Sequence, residues 1–396
     1  MEKTNETRFS ASGSMLGYLY QCRLALLTAL ERIKANPNLE ISVETLDDVQ
    51  FEENGAPLEL LQAKHHINPA DLTDYSVDLW KTIRIWSELK KNSKFSSDVT
   101  LCLITTAQAK KDTIAARLRT GESRDEKKAL ASLKQIALSS DNQTTLAGRD
   151  AFSSLSENEK KELIEAIVVF DKYSSISGLD QSLEEALWGV CERAKVSCLL
   201  EHLEGWWHRK VIECLQQKCK VSAQEIESCI GLLRESFKDN NLPIADEVRN
   251  ANPDVAPFKD WIFSKQLRLI GVGEKRVGIA AKNFYKAREQ RSRWIREELL
   301  IENDLDSYDE HLEEEWSVRF EQAVDHLPNE VTEEENVKAG QGIYKWVETD
   351  ASIPIKPQCQ EAFITRGSYQ ILSNRKKVGW HPEFKDLLDD SNEGEA

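Results

Sequence analysis

The sequence contains no apolar run that approaches the ~18 consecutive residues of a membrane-spanning helix. Its first 15 residues are polar and lack the apolar centre of a secretion signal. We therefore expect a cytoplasmic protein without a membrane association. In that compartment its eight cysteines should be reduced thiols. None of them forms a C-x-x-C pair, so a structural zinc site is not expected.

Positive charge is also in deficit. The 396 residues include 68 acidic and 52 basic side chains, which gives a net charge of −16. This balance argues against a protein that coats nucleic acid, but a nuclease needs only a local basic surface. The charge is unevenly spread, because residues 265–296 hold ten Lys or Arg and two acids. Residues 297–315 hold ten acids and no Lys or Arg.

Hydrophobic periodicity divides the chain into two parts. Helical spacing predicts helices over residues 15–33 and 72–89. Strands are predicted at the following positions: 39–51, 58–64, 99–105 and 167–170. Beyond about residue 180 the strand signals fade and helical patterns dominate. The fold class predicted is therefore α/β, with a mixed sheet flanked by helices, followed by a mostly α-helical domain.

The domain boundary is predicted within 175–205. We assign residues 15–200 to the α/β domain and 201–390 to the helical domain. Residues 1–14 and 391–396 are expected to be flexible.

Polar residues that could act in catalysis or metal binding lie on the first two predicted strands, which Asn54-Gly55 joins as a hairpin. A three-residue loop would pair residues whose numbers sum to 108, placing Glu44 opposite Lys64 with Asp48 on the same face. A two-residue loop would instead set Asp47 opposite Gln62. The apolar alternation favours the first register, and with it Asp48, although the choice between Asp47 and Asp48 stays open.

An acid near a strand end and a polar-x-Lys on its neighbour suit metal-assisted phosphodiester hydrolysis. Mg²⁺ prefers oxygen ligands and keeps several waters, so a carboxylate and neutral oxygens can hold it. Bound metal polarises a phosphoryl oxygen and acidifies water. A nearby lysine can position that water and offset the charge of the transition state.

The arrangement resembles the PD-(D/E)xK restriction-endonuclease-like fold. More specifically, segments 17–21 (GYLYQ), 43–49 (VETLDDV) and 61–65 (LQAKH) resemble the double-stranded DNA endonuclease domain of CBASS and Lamassu anti-phage effectors. The resemblance implies a restriction-endonuclease-like N-terminal domain that uses Mg²⁺, with Mn²⁺ as a possible substitute.

The resemblance also implies roles for individual residues. Asp48 would be a metal ligand, Gln62 would occupy the position of the second acid, and Lys64 would be the catalytic lysine. Gln21 on the first helix would face the same site, and Glu44 is included among the catalytic candidates. Glutamine in place of an acid departs from the superfamily pattern. It removes one negative charge and should weaken metal binding in the absence of DNA.

The C-terminal half carries a second resemblance. Segments 203–209 (LEGWWHR), 366–372 (RGSYQIL) and 379–382 (GWHP) resemble the effector of ABC three-component, or Lamassu-type, defence systems. Such effectors work with an SMC-like, ABC-type ATPase and a small third subunit. The chain is thus expected to be an endonuclease for double-stranded DNA, activated through the ATPase and oligomeric when active. The alternative is a catalytically inactive adaptor that uses the nuclease-like fold to bind DNA or partners.

Basic and aromatic residues alternate over residues 282–294. This pattern is typical of a surface that contacts DNA or docks an acidic partner. An equally good interpretation is a solvated helix whose charge is balanced by the acidic segment 297–315. The candidate contacts to nucleic acid are Lys282, Lys286, Arg288, Arg291 and Arg293.

Overall fold

The computed structural model describes residues 12–44, 48–66, 70–94, 96 and 98–390, and it divides the chain into two compact units, Met1–Leu233 and Arg234–Ala396. The division falls later than residue 200, the sequence-based boundary, because a short strand at Val221–Ser222 still pairs with the sheet of the first unit. Residues 12–14 belong to the first helix rather than to a flexible terminus. Residues 1–11 and the tail 391–396 lie outside the described residues.

The first unit is built on a mixed sheet of six strands in the order β5-β4-β3-β2-β1-β6. The strands are β1 (Leu39–Val43), β2 (Val49–Glu53), β3 (Ala56–Lys64), β4 (Thr100–Thr105), β5 (Ile167–Phe170) and β6 (Val221–Ser222). Strands β1, β2 and β3 are antiparallel, and β6 pairs antiparallel with β1. Strands β3, β4 and β5 are parallel. The predicted mixed sheet with flanking helices is therefore confirmed.

The helices of this unit follow the predicted order. They are α1 (Ser12–Arg32), α2 (Val77–Lys91), α3 (Ile114–Arg117), α4 (Glu126–Ser139), α5 (Leu146–Ser153), α6 (Glu157–Ala166), α7 (Leu179–Ala186), α8 (Val196–Gln217) and α9 (Ala223–Ser236), the last of which crosses the boundary. A capping box begins α6, since the side chains of Ser156 and Glu159 each accept a hydrogen bond from the other's backbone N–H.

The predicted single strand over 39–51 is two strands. The chain reverses after Val43, where Glu44 has a left-handed backbone (φ 56°) and its N–H donates to the Asp48 carbonyl oxygen at 2.9 Å. Strand β2 then pairs with β1 so that Ile41 lies opposite Phe51. Odd residues therefore remain on one face, which is why the alternation in the sequence continued across the turn.

The register favoured for the Asn54-Gly55 hairpin, with a three-residue loop, is also wrong. Glu53 pairs with Ala56, so the loop is the two residues Asn54-Gly55, both with positive φ as a type I′ turn requires. A bulge between Phe51 and Glu52 then shifts the register by one residue. The bulge restores the pairing of odd with odd residues, so the apolar face stays continuous.

The two faces of the sheet are covered by different helices. Even-numbered Leu60 lies in one core with Leu101, Leu103 and residues of α2, α4, α5 and α6. On the other face, the guanidinium of Arg32 in α1 lies 5.2 Å from the centre of the Phe51 ring. Helix α8 packs on α1, where the indole of Trp207 donates to the Cys22 carbonyl oxygen at 2.8 Å.

Helix α8 ends with Lys218 in the left-handed conformation, and a disulfide joins Cys214 to Cys219 across this turn. The expectation that all eight cysteines are reduced thiols is therefore wrong for this pair. The two sulfurs meet because the left-handed residue folds the chain back onto the last helical turn.

The second unit is helical, as predicted. Its helices are α10 (Asp246–Arg249), α11 (Ile262–Leu269), α12 (Glu274–Arg296), α13 (Glu302–Asp325), α14 (Glu333–Thr349), α15 (Ala362–Asn374) and α16 (Phe384–Asp390). Trp294 and Trp380 are fully buried in its core. Across the described ranges of both units, no helix is both long and apolar enough to cross a membrane.

Helices α12 and α15 cross closely at Gly367. A Cβ atom at this position would overlap the carbonyl oxygen of Asn283 and the methyl group of Ala287. Gly342 in α14 is the opposite case, since a Cβ there would meet no atom of the described chain within 4 Å. The first glycine is required by packing and the second is not.

We expect Gly367→Ala to destabilise the protein by about 1–3 kcal/mol, because the overlap forces the two helices apart. Gly342→Ala should stabilise it by up to about 1 kcal/mol, since alanine is the better helix former. Denaturant unfolding followed by circular dichroism compares both variants with the parent protein. Equal stability of the two variants would contradict this account of the α12–α15 crossing.

Candidate active site

The site begins where β2 and β3 part. Val49–Leu61 is the last pair of their ladder, yet β3 continues to Lys64. Asp48 directly precedes β2, and its side chain takes the place of a further strand residue opposite Ala63. Its Oδ2 accepts a hydrogen bond from the Ala63 N–H at 2.8 Å, and its Oδ1 accepts one from the Gln62 amide at 3.0 Å. The carboxylate thus replaces the carbonyl oxygen that a longer β2 would have supplied.

Lys64 completes a chain of polar contacts. Its Nζ donates to the Gln62 Oε1 at 2.7 Å and lies 3.5 Å from the Asp48 Oδ2. The Gln62 residue is 1% exposed, while the side chains of Lys64 and Asp48 are 21% and 14% exposed. The structure therefore brings the three predicted residues together at a partly open strand end. Asp47 lies outside the described residues.

Glu44 provides a second carboxylate beside Asp48. Glu44 is exposed as a residue, but partial desolvation of its carboxylate and the negative charge of Asp48 raise its pKa, and the positive charge of Lys64 partly opposes this shift. The left-handed turn that ends β1 holds Glu44 in this position, because its N–H is bonded to the Asp48 carbonyl oxygen. Glu44 is not opposite Lys64 in a ladder, as the predicted register had placed it. It reaches the same site through the turn.

One turn of α1 lies near this strand end. The ring of Tyr20 lies 4.9 Å from the ring of His65, which follows Lys64. Burial and the charge of Glu44 raise the pKa of Cys22. Between these two residues, the Oε1 of Gln21 is buried and has no hydrogen-bond partner within the described ranges. An unsatisfied buried oxygen is unusual and is often associated with an ion or a function.

His65 and His66 contact different helices, as expected when adjacent side chains in an extended segment point to opposite faces. The Nε2 of His66 lies 2.8 Å from a carboxylate oxygen of Asp78 in α2. His65 faces α1, and burial together with the charge of His66 lowers its pKa. Tyr20 and His65 were not predicted as site residues. The available signal was their presence in segments 17–21 and 61–65, which carry the nuclease resemblance.

The donor set can be tested for Mg²⁺. Two cis ligands of an octahedral Mg²⁺ lie about 3.0 Å apart, since each bond is about 2.1 Å long. The Asp48 Oδ1 and the Gln62 amide nitrogen are 3.0 Å apart. Rotation of the amide by half a turn would place an oxygen where the nitrogen now lies. After that rotation Asp48 and Gln62 would present two oxygens at the spacing of cis ligands, with a single formal negative charge between them.

The predicted nucleic-acid contacts lie in the second unit, and Arg291 is not available to DNA. It is only 6% exposed and bonds Asp309 at 2.9 Å and Ser368 at 3.1 Å, because α12 is a core helix. Lys286 donates to the Arg249 carbonyl oxygen at 2.6 Å, and Arg293 pairs with Glu297 at 2.7 Å. Lys282 is half-buried and Arg288 is exposed.

Residues 263–388 match the family described as C-terminal domain 7 of the ABC-three component (ABC-3C) systems. The match covers most of the second unit and roughly a third of the chain. The match therefore relates the second unit to these ABC-3C systems. No match was found among curated proteins.

Two solved structures show a distant likeness. The Cap4 SAVED/CARF-domain containing receptor of Acinetobacter baumannii, in complex with the cyclic trinucleotide 2'3'3'-cAAA, is 12% identical with a TM-score of 0.35. The alignment covers 69% of this chain and 58% of the receptor. The corresponding receptor of Moraxella osloensis is 14% identical with a TM-score of 0.34, and the alignment covers 69% and 60% of the two chains. The chain thus spans less than two thirds of either receptor.

The raised pKa of Glu44 predicts a pH-dependent effect on stability. Below the ordinary glutamate pKa of about 4.3, the side chain is neutral in both folded and unfolded chains. As pH rises from this ordinary pKa to the raised pKa of the folded protein, the unfolded chain loses its proton first, so the folded state loses stability, and the loss is complete above the raised pKa. Glu44→Gln should therefore stabilise the protein at pH 7.5 more than at pH 4, as measured by denaturant unfolding.

Glu298→Gln is the matched control for this experiment. Glu298 also has a left-handed backbone (φ 54°) and is exposed. An equal effect of Glu44→Gln at both pH values, or the same pH dependence in the control, would contradict the electrostatic coupling of Glu44 to Asp48.

The donor set also predicts how metal affinity changes with charge. Gln62→Glu adds a carboxylate beside Asp48, so the two repel without metal and jointly bind it when it is present. Titration with Mn²⁺ should give a Kd at least about tenfold lower than in the parent protein, and Mn²⁺ should raise the melting temperature further. Gln135→Glu, an exposed position on α4, is the matched control. An unchanged Kd in Gln62→Glu would remove Gln62 from the metal site.

Proposed function

We propose that the chain is the nuclease subunit of a Lamassu-type ABC three-component defence system. Its N-terminal unit would be a restriction-endonuclease-like domain that cuts double-stranded DNA with Mg²⁺ or Mn²⁺. The observation that carries the proposal is the cluster of Asp48, Gln62 and Lys64 at one partly exposed strand end. The family match of residues 263–388 supports the defence context.

Each residue has a role that its contacts support. Asp48 and the Gln62 amide oxygen would hold the metal, which polarises a phosphoryl oxygen and lowers the pKa of bound water. Lys64 would orient that water and offset charge on the phosphate. Glu44 carries a carboxylate with a raised pKa and would accept a proton near this position.

The contact between Lys64 and Gln62 suggests how the two residues are coupled. Lys64 Nζ now donates to the Gln62 Oε1. If the amide turns its oxygen away, its NH₂ group faces the ammonium, and two donors cannot bond each other. Lys64 would then leave Gln62 and become available to substrate. Lys64 would thus stay bonded to Gln62 until the amide rotates.

The C-terminal unit would dock onto the ABC-type ATPase, with a small third subunit completing the system. Restraint of the nuclease fits the charge of the chain, because a net charge of −16 repels DNA from the free protein. A single site cuts one strand at a time, so a double-strand break is easiest when copies of the chain assemble. We therefore place activation in the clustering of nuclease units by the partner.

A second candidate is the catalytically inactive adaptor. It is favoured by the finding that both oxygens of Asp48 already accept hydrogen bonds from the protein, from Ala63 and from Gln62. In that case Asp48 would only cap the end of a strand. The protein would not bind Mn²⁺ at this position and would not cut DNA. Metal binding and cleavage together distinguish the two candidates.

We expect Lys64→Ala to reduce plasmid cleavage by roughly 100-fold or more, since one lost electrostatic donor at a reacting centre has an effect of this order. Stability should change by less than about 1 kcal/mol because the side chain is partly exposed. The assay is plasmid cleavage with Mg²⁺ or Mn²⁺ by the chain together with its partner subunits. Lys81→Ala, on the exposed face of α2, is the matched control.

Full cleavage by a folded Lys64→Ala protein would refute the assigned site. Absence of cleavage in the parent complex, together with absence of Mn²⁺ binding, would establish the adaptor instead.

A further inference from the structure

A cavity of about 420 Å³ lies inside the second unit, and neither the nuclease proposal nor the family match assigns it a role. This volume is in the range of small-molecule sites, which is roughly 300–1,000 Å³. Its lining combines aromatic rings and guanidinium groups: Trp261, Phe284, Arg288, Arg291, Leu305, Ile371, Asn374 and Arg375. The cavity is therefore neither an apolar packing defect nor a simple charged surface.

Two helices supply most of the lining at helical spacing. Phe284, Arg288 and Arg291 lie at i, i+4 and i+7 on α12, so they form one stripe. Asn374 and Arg375 close the C-terminal end of α15 opposite that stripe. The basic and aromatic alternation in this part of the sequence thus lines a concave site.

Charge in the cavity is only partly compensated. Asp309 is buried and its Oδ2 lies 2.9 Å from Arg291 and 3.5 Å from Arg375. Within the described ranges, Arg288 makes no hydrogen bond or ion pair, and its side chain is exposed. Three guanidinium groups against one carboxylate leave about two positive charges, in a chain whose net charge is −16.

The aromatic side of the cavity is rigid. The Phe284 ring stacks on the Phe263 ring with centroids 5.0 Å apart, and the Trp261 ring meets Phe284 edge-on at 5.1 Å. Trp261 remains partly exposed, so its indole is accessible to a planar group. Indole and guanidinium planes are both good stacking surfaces for a nucleobase.

We propose that this cavity binds a nucleoside monophosphate. A phosphate monoester carries a charge of about −1.5 to −2 at pH 7, which matches the two uncompensated guanidinium charges. Arg288 and Arg375 would hold the phosphate, since the arginine fork suits phosphate oxygens. The base would lie against Trp261. Asp309 would act as a positioning residue that fixes Arg291 and Arg375 and leaves Arg288 to the ligand.

A nucleotide fits better than duplex DNA or a peptide. Arg291 is too deeply buried to reach the backbone of a duplex. Peptides are usually bound as an added strand on a sheet edge or as a helix in a long groove. A site of this volume between one face of α12 and the C-terminal end of α15 has neither form and is sized for one small ligand. The proposal does not depend on the nuclease assignment.

The test uses AMP, adenosine and inorganic phosphate as probes in calorimetric titrations of the full chain. AMP should bind at least about tenfold more tightly than either adenosine or phosphate, because only AMP occupies both halves of the cavity. Arg288→Ala should weaken AMP binding by about tenfold or more, as expected for a lost charged hydrogen bond. Arg288→Lys should recover part of the loss, because it keeps the charge without the fork.

Arg296→Ala is the matched control, since Arg296 is an exposed arginine on the same helix that does not line the cavity. It should bind AMP as the parent protein does. Equal affinity for AMP and adenosine, or unchanged AMP affinity in Arg288→Ala, would overturn the proposal. So would the absence of binding by AMP, GMP, CMP and TMP at millimolar concentration, and tight binding of an acidic peptide alone would then assign the cavity to a protein partner.

Discussion

The carboxylate of Asp48 accepts hydrogen bonds from the Ala63 backbone and the Gln62 amide at the point where two strands separate. This contact allows β3 to run beyond the end of β2 without leaving a backbone N–H unsatisfied. The carboxylate also contacts the Gln62 amide, whose oxygen accepts a hydrogen bond from Lys64, on the edge of β3 that does not pair with β4. The proposed metal site would therefore use the same side chain that completes the pairing of this strand end.

In the second unit, too, one acidic side chain contacts neighbouring basic groups. Asp309, buried beside Arg291 and Arg375, keeps two guanidinium groups in fixed positions. Removal of one partner from such a buried pair leaves an uncompensated charge, which is strongly destabilising. In each unit one acidic side chain, partly buried for Asp48 and buried for Asp309, thus contacts the basic groups around it.

The family match and the sheet support different parts of the proposal. Residues 263–388 match a C-terminal domain of ABC three-component systems, which supports the proposed defence context. The nuclease assignment rests on Asp48, Gln62 and Lys64, and on the Mn²⁺ and cleavage measurements that follow from their contacts. Glu44 and Gln21 lie around this cluster for different reasons: one through a left-handed turn, the other on a helix that crosses the sheet.

The sequence by itself determined the alternation of β1, β2 and β3, the mixed character of the sheet, and the helical nature of the second unit. These features follow from local periodicity, which survives small changes in the chain path. Only the tertiary structure decided the break after Val43, the bulge beside Glu52 and the burial of Arg291. Turn geometry and register depend on which backbone groups find partners across strands. The exposure of an arginine depends on which helix packs over it. The spacing of residues along one segment encodes neither the strand register nor this exposure.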